Sequence, residues 1–591
     1  MKTKSKRKRR IWIPLVVLAA VILLAAALFP VVAPVVGKWF TSQETEVRDG
    51  WEVDVGDLIG VDEDQKVEIR QAPVEASITV LQLVPEEIDE EGFTYYDTDV
   101  QQRIRAALDK GRNGRTWSAD APLAVLNPFG TGSNGLYLSF ETDRATRVEY
   151  TIHVEDEDIP DFTATAQDSS GQAYTTSHEF QVIGLVPGEV NEVTLTVRGS
   201  WGNIRQRVRF TIEMPENYSG YDTRLEVTDG TSTETQDEGL FTMMRTNGYL
   251  GYGFLYDNSG VMRYEMVLEG FGLDRILTCG NDIVTCVSAN KLARINGLGE
   301  VEQVYSLGDY ELHHDINYGQ DGTVVALAEK TGAVDVEDLV LEINLETGEV
   351  TQLLDCKDLM ADYHSETRPI KGTDPFFWQA GEQDWIHLNT VQYLADSDSL
   401  ILSSRETSTI LCVKDVHSTP AISWMCGDPD FWEGTEYEQY CLEPVNDFTW
   451  QYGQHCVEYA PGEEEGVCYL RMFNNNYWAI SSRDDYEPDL PEGVCTDLYG
   501  SSGDSSYTYV YKIDTNAGTV ELVESFPVPY SSIVSNSTLN TATGHWTVNS
   551  GIAMVFGEYD AEGNLIRQYD YECTMQGYRT FKYDYKGFWF Q

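Results

Sequence analysis

Ile343–Leu354 reads INLETGEVTQLL: an apolar strand end, an Asn, a turn closed by glycine, and a second strand. The pattern returns as YDNSGVMRYEM at 256–266, INGLGEVEQVY at 295–305, IDTNAGTVELV at 513–523 and YDAEGNLIRQY at 559–569. VKDVHSTPAISWM at 413–425 is a version without the glycine. Centred on Gly260, Gly299, Gly348, Ser418, Gly518 and Gly563, the six hairpins are spaced by 39–70 residues, with one gap of 100. That gap holds a polar, aromatic-rich insertion, roughly Tyr477–Tyr507. Repeats of this length, with four strands each, predict a six-bladed β-propeller over 222–591. The competing reading is a set of unrelated hairpins in one large sandwich.

Upstream the pattern changes. Residues 74–215 carry short alternating strands, SITVLQLV, GLYLSFET, RVEYTIHVE, NEVTLTVRG and RQRVRFTIEM, interrupted by a helical DVQQRIRAALDKG at 99–111. Turn residues between them predict a small β-sandwich. The polar stretch 222–239 reads as a loop or link, and 38–73 as an acidic spacer. The fold class expected is therefore all-β.

The chain opens with MKTKSKRKRR, residues 1–10, a basic tail. Ile11–Gly37 then runs 27 residues without a charge. That length spans a bilayer, and the basic flank belongs in the cytoplasm. A cleaved signal peptide is the alternative, but its apolar region is normally about 7–15 residues. The expectation is an uncleaved transmembrane helix at 11–37: a single-pass cell-membrane protein whose remaining domains lie on the extracytoplasmic side. Beyond residue 40 lie all 96 acids and 33 of the 41 basic residues, a net of −63. Such a surface repels phosphate backbones, so no nucleic-acid partner is expected. Ten cysteines in an oxidising compartment could form disulfides, the nearest pairs being Cys279 with Cys286 and Cys426 with Cys441. No CxxC spacing suggests a zinc ribbon.

Three histidines recur at one phase of the repeat. His314, in GDYELHHDINYG, precedes the strand GTVVALAE. His387, in QDWIHLNT, precedes VQYLADSDSLILSSRE. His455, in GQH, precedes CVEYAPGEEEGVCYLRMFNN. Innermost propeller strands line a central channel, so equivalent blade positions converge on its axis. Arg405 ends the strand after His387 and is directed at the same space. Three histidines alone would suggest zinc, but a fixed cation beside a metal dication is repulsive. Arginine and histidine together make a fork of donors for a tetrahedral oxyanion. No metal and no cofactor are expected, and neither GxxxxGK[ST] nor a strand-borne GxGxxG is present.

In order, HHD, DWxHxN with SSR eighteen residues after its histidine, and GQH with FNN resemble the bacterial aryl-sulfate sulfotransferases that use no nucleotide donor. Asn127-Pro-Phe-Gly130, HEFQVIGL at 178–185 and NEVTL at 191–195 resemble that family's N-terminal β-domain, and FGEYDAEGNLIRQYDY with Tyr578-Arg579 its C-terminal end. The resemblance covers roughly 75–591. It implies transfer of a sulfuryl group from a phenolic sulfate ester to a phenol acceptor by a ping-pong mechanism. His455 would be the nucleophile, forming a sulfohistidine. His314, His387, Asn389 and Arg405 would hold the sulfate oxygens, and His314 could also handle a phenol proton. A structural disulfide near the active-site face, for which Cys426–Cys441 is a candidate, is implied as well. A homodimer is compatible with the sequence.

Two other readings were weighed. A sulfatase-like hydrolase needs a metal and an activated Cys or Ser in a short signature, which is not found. A non-catalytic, surface-anchored propeller binding protein would not require three histidines and an arginine at one phase. Within the HisHis pair, strand alternation predicts that His314 faces the channel and His313 the blade packing, with Asp315 orienting the His314 ring.

Overall fold

The computed structural model describes residues 47–590, except 51, 52, 249, 485, 487 and 575. The basic tail and apolar segment at 1–37 lie outside the described residues. Among those described, no helix is long and apolar enough to cross a membrane.

Residues 226–583 form six sheets built on four strands each. Blade 2 holds the strands between Leu277 and Ser306, blade 3 those between Tyr310 and Asp355, and blade 4 those between Leu388 and Cys426. Blade 5 runs from His455 to Pro529, with Glu443–Pro444 added at its outer edge, and blade 6 from Asn536 to Asp570. First strands of successive blades contact one another around the axis, and fourth strands lie outermost. Every repeated hairpin is the turn between third and fourth strands. Gly260, Gly299, Gly348, Gly518 and Gly563 all have φ between +71° and +81° there, a conformation that costs glycine nothing.

The ring closes twice. Blade 1 takes its three outer strands from Leu240–Val267 and its innermost from Phe581–Tyr583, near the C-terminus. Blade 6 takes its outermost strand, Glu226–Asp229, from the stretch read as a link. That link is therefore part of the propeller: its alternation was too short and too acidic to be seen as a strand.

The N-terminal region is a ten-stranded assembly organised by one long strand, Leu136–His153. Its first half pairs with Leu123–Leu126 and Thr175–Val182, its second half with Phe162–Thr165 and Val190–Gly199. The pairing with Thr175–Val182 shifts between Glu141 and Thr146, and the one long strand serves four partners in a single sheet. The expected spacer contributes too. Val47–Asp49 pairs in parallel with the Ile204–Glu213 strand, and Gly60–Asp62 and Val67–Gln71 extend the other edge. Val67 and Ile69 point into the core while their neighbours carry the charges, so acidity marked the solvent face and not a linker.

One helix, Thr98–Asn113, is capped by the Asp97 side chain, which accepts from the Asp99 and Val100 amides. It docks this domain onto blade 2. Gln101 accepts from the Val301 amide at 3.1 Å, and Arg105 bridges Glu179 and Glu300. The C-terminal residues seal the same junction: Trp589, buried, lies 4.8 Å from the Tyr264 ring in blade 1.

All ten cysteines are free thiols. For Cys279 and Cys286 the hairpin register is the reason: Cys279 stands opposite Asp282, which leaves Cys286 several rungs away, beyond disulfide reach. Cys441 bridges by its backbone to Met425, next to Cys426, yet the two thiols stay unbonded.

Trp589→Ala should destabilise the protein by about 3–5 kcal/mol, the usual cost of truncating a buried Trp. Urea unfolding followed by tryptophan-independent circular dichroism measures it. A loss under about 1 kcal/mol would mean the C-terminal seal carries little of the fold.

Candidate active site

The three innermost strands that carry the expected histidines share one irregularity. Pairing between first and second strands shifts between Leu312 and Ile316 in blade 3, Leu388 and Thr390 in blade 4, and His455 and Glu458 in blade 5. A non-glycine residue takes left-handed backbone within the shift in blades 3 and 5, His314 (φ +57°) and Cys456 (φ +52°), and immediately before it in blade 4, His387 (φ +47°). β-Bulges re-aim side chains, and left-handed backbone in non-glycine residues is uncommon. Three bulges at one phase turn the His314, His387 and His455 rings toward one another at the mouth of the channel. The His314 ring lies 4.7 Å from His387 and 5.4 Å from Tyr578, and Tyr578 lies 6.4 Å from His455.

His455 is fixed by its neighbours. Its Nδ1 lies 2.8 Å from Asn475 Oδ1 and 2.9 Å from the Gly453 carbonyl. The Asn475 amide cannot be turned round, because its nitrogen donates to the carbonyls of Ser531 and Val534. Its oxygen therefore accepts, so His455 carries its proton on Nδ1. Nε2 then bears the lone pair, near the Val534 amide at 3.3 Å. Burial, aided by the charges of His387, Arg405 and Arg579, holds His455 well below the usual imidazole pKa despite the Asn475 bond.

His387 is the opposite case. Burial and Arg405 push its pKa down, but Asp384 and Glu337 outweigh them and raise it to about 9. Asp384 Oδ2 accepts from Nδ1 at 2.6 Å, and Glu337 forms an ion pair at the same nitrogen. Arg405 follows the second strand of blade 4, its amide donating to the His387 carbonyl at 3.1 Å. Its guanidinium meets Asp384 at 3.3 Å and lies 4.0 Å from the centre of the Phe376 ring. Asn389 donates from its side chain to the Gln454 carbonyl at 2.7 Å, which ties blade 4 to the residue before His455. One amide hydrogen expected for a ligand is thus used to hold the backbone next to His455.

Two expectations for the HisHis pair are corrected. The bulge breaks strand alternation, so His313 and His314 both line the same cavity, their Nδ1 atoms 2.9 Å apart. Asp315 does not orient His314. It turns instead to Arg275 and Arg579, each at 2.8 Å. The carboxylate beside His314 is Glu337, 3.8 Å from its Nδ1.

The cavity measures about 360 Å³ and is lined on its apolar side by Met244, Phe271, Leu273 and Val534. It is large enough for an aryl ring beside the histidines. Glu337, Asn475, Val534 and Arg579 complete the site and were not singled out from sequence as groups acting on the histidines. Only Asn475, within FNN, and Arg579, within the quoted Tyr578-Arg579, left any trace there.

Solved structures match this chain only distantly. A periplasmic gluconolactonase from Pseudomonas aeruginosa is 9% identical, covering 73% of this chain and 99% of its own, with a TM-score of 0.30. The WD40 domain of Toxoplasma gondii coronin is 9% identical, covering 60% and 75%, with a TM-score of 0.28. A hypothetical selenium-binding protein from Sulfolobus tokodaii is 9% identical, covering 65% and 91%, with a TM-score of 0.29. Likeness at this level says nothing of activity, and no curated protein matches the sequence. Family models are decisive. Residues 226–585 match Arylsulfotransferase (ASST), and residues 123–215 match the Arylsulfotransferase Ig-like domain. Together with a propeller whose axis gathers three histidines and an arginine, a match over more than half of the chain makes this protein a member of the arylsulfotransferase family, sulfotransferases of small phenolic substrates.

Proposed function

We propose that the protein moves a sulfuryl group from a phenolic sulfate ester to a phenol by a ping-pong mechanism through a sulfohistidine at His455 Nε2. The observation that carries this reading is the locked His455 tautomer: Nδ1–H is held by Asn475 and Gly453, and the lone pair is on Nε2, where it accepts from the Val534 amide at 3.3 Å. In the first half, the Nε2 lone pair attacks sulfur, the ester S–O bond breaks, and the phenolate leaves. In the second, the acceptor oxygen attacks the same sulfur, the N–S bond breaks, and His455 regains its lone pair as the phenol loses its proton. A neutral imidazole suits both halves, being a nucleophile at neutral pH and a good leaving group when sulfated.

The remaining residues divide the work. His387 and Arg405 present positive charge to the spectator oxygens, as in transfers of other tetrahedral oxyanions. Glu337 and Asp384 stand behind them and keep His387 charged. His314 is held well below the usual imidazole pKa, by burial first and by His387 and His313 next, against the pull of Glu337. A neutral ring there is fit to accept the acceptor phenol's proton. Asn389 acts through the Gln454 backbone. Its second amide hydrogen is a further donor for sulfate. With the apolar segment at 11–37 as an anchor, the proposal places this chemistry outside the cytoplasmic membrane.

Incubation with 4-nitrophenyl sulfate, with and without phenol, tests the reaction. Release of nitrophenol should rise strongly when phenol is added. A hydrolase would be indifferent to phenol, and a non-catalytic binding protein would release none. His455→Ala should lower transfer by about 10⁴-fold or more, because no other group can take up the sulfuryl group. A variant that keeps a tenth of the activity would remove His455 from the role. Asn475→Ala frees the wrong tautomer and should cost about 10²-fold in kcat, with less sulfohistidine trapped on base quenching. An unchanged yield of that intermediate would show that the tautomer is held by Gly453 alone.

The two imidazoles also set the pH profile. Transfer should stay level from neutral pH and fall as pH passes about 9, where His387 loses its proton. Its acid limb should lie below the ordinary imidazole range because His455 resists protonation. For stability the sign follows from the raised His387 pKa: its contribution is whole below its ordinary value of 6.5 and is lost as pH rises through about 9. A rate still rising at pH 10 would contradict a charged His387.

A further inference from the structure

His313 has no part in the reaction above, yet it is buried against the site. Its Nδ1 lies 2.9 Å from His314 Nδ1, with the two rings inclined at 79°. Two ring nitrogens facing each other can share only one hydrogen. Glu337 closes the third side, its Oε2 3.8 Å from His314 Nδ1, and ligand atoms of all three residues lie within 4.8 Å of one another.

The carboxylate oxygen is held by charge. It sits close to His387 Nδ1, but the hydrogen on that nitrogen is aligned with Asp384 at 2.6 Å, and Glu337 Oε2 is left without a hydrogen bond. Ligands about 2.0–2.2 Å from a divalent ion stand about 3–4 Å from one another, close to the 2.9 Å and 3.8 Å that separate His314 Nδ1 from His313 Nδ1 and Glu337 Oε2. Two imidazoles and one carboxylate suit zinc over calcium or magnesium. The Arg405 charge that argues against zinc among the channel histidines acts on His387 and His455. The charges felt by His313 come from Glu337, Asp384 and His387.

We propose that His313 Nδ1, His314 Nδ1 and Glu337 form an inhibitory site for a zinc-like divalent cation at the edge of the substrate cavity. A cation held there occupies the His314 lone pair and draws Glu337 away from His387. Both sides of the sulfate cradle are affected, while His455 is untouched. The enzyme needs no metal to work, and zinc acts as a reversible brake.

Calorimetry and the transfer assay test this separately. One equivalent of zinc should bind the wild-type full chain, transfer should fall about tenfold or more at saturation, and EDTA should restore it. His313→Asn should keep most of its rate without zinc, bind none by calorimetry, and ignore added zinc. Equal binding and inhibition in wild type and variant, or no binding in either, would overturn the site. Loss of wild-type activity in EDTA alone would make the metal a requirement and overturn the inhibitory role. If His313→Asn fails to fold, Glu337→Gln, read by calorimetry alone, decides between the same outcomes. Because binding is measured without turnover, its failure is distinguishable from failure of the transfer mechanism.

Discussion

A buried carboxylate on the propeller axis ties four parts of the ring together. Asp315, on the innermost strand of blade 3, meets Arg275 ahead of blade 2 and Arg579 ahead of the closing strand of blade 1, each at 2.8 Å. It also accepts the Val391 amide of blade 4 at 3.3 Å. All three charged groups are buried or nearly so. Charges so desolvated hold only while each has its partners, and removal of one from such a cluster typically costs about 3–5 kcal/mol. The propeller centre is thus specified by charge geometry where an apolar plug would have left blade register free.

That cluster also sets the electrostatics of the site above it. Arg579 donates to the Asn389 carbonyl at 2.5 Å and contributes to the low pKa of His455. Asn389 in turn holds Gln454, the residue before His455. One path of buried polar contacts therefore runs from the ring's closing strand to the backbone beside His455. Neighbouring imidazoles are driven in opposite directions by what surrounds them: two carboxylates for His387, burial and the nearby positive charges for His455. Sorting identical side chains into one charged and one neutral form requires this asymmetry, and it lies in the residues behind the rings.

Sequence made the ring legible because its third turn is built from residues whose backbone preference is local. Glycine at φ near +75° leaves the same mark in five blades, and even the version at Ser418 falls at the same turn. The histidines were legible for a similar reason, each coming shortly ahead of an alternating strand. What stayed hidden depends on tertiary placement. Glu337 comes from a loop between the second and third strands of blade 3 and meets His387 fifty residues on. Val534 approaches His455 from the link into blade 6, and nothing about an isolated valine signals a backbone donor. Val47–Gln71 looked like a spacer because its exposed edge positions are acidic, although Val67 and Ile69 are core residues.

The HisHis pair shows where pattern reasoning reaches its limit. Alternation on a strand is a rule of regular pleats, and it assigns His313 and His314 to opposite faces. A bulge suspends that rule for one residue, and His314 pays for it with a left-handed backbone that glycine would adopt without strain. Glycine there would supply the backbone and lose the imidazole. Such strain persists only where the surrounding structure over-determines it, and the recurrence of the same bulge at His387 and Cys456 argues that the ring, as much as any single residue, imposes it. Once the bulge is present, the two imidazoles stand side by side, their Nδ1 atoms 2.9 Å apart and both turned to one cavity, an arrangement that a regular pleat would forbid.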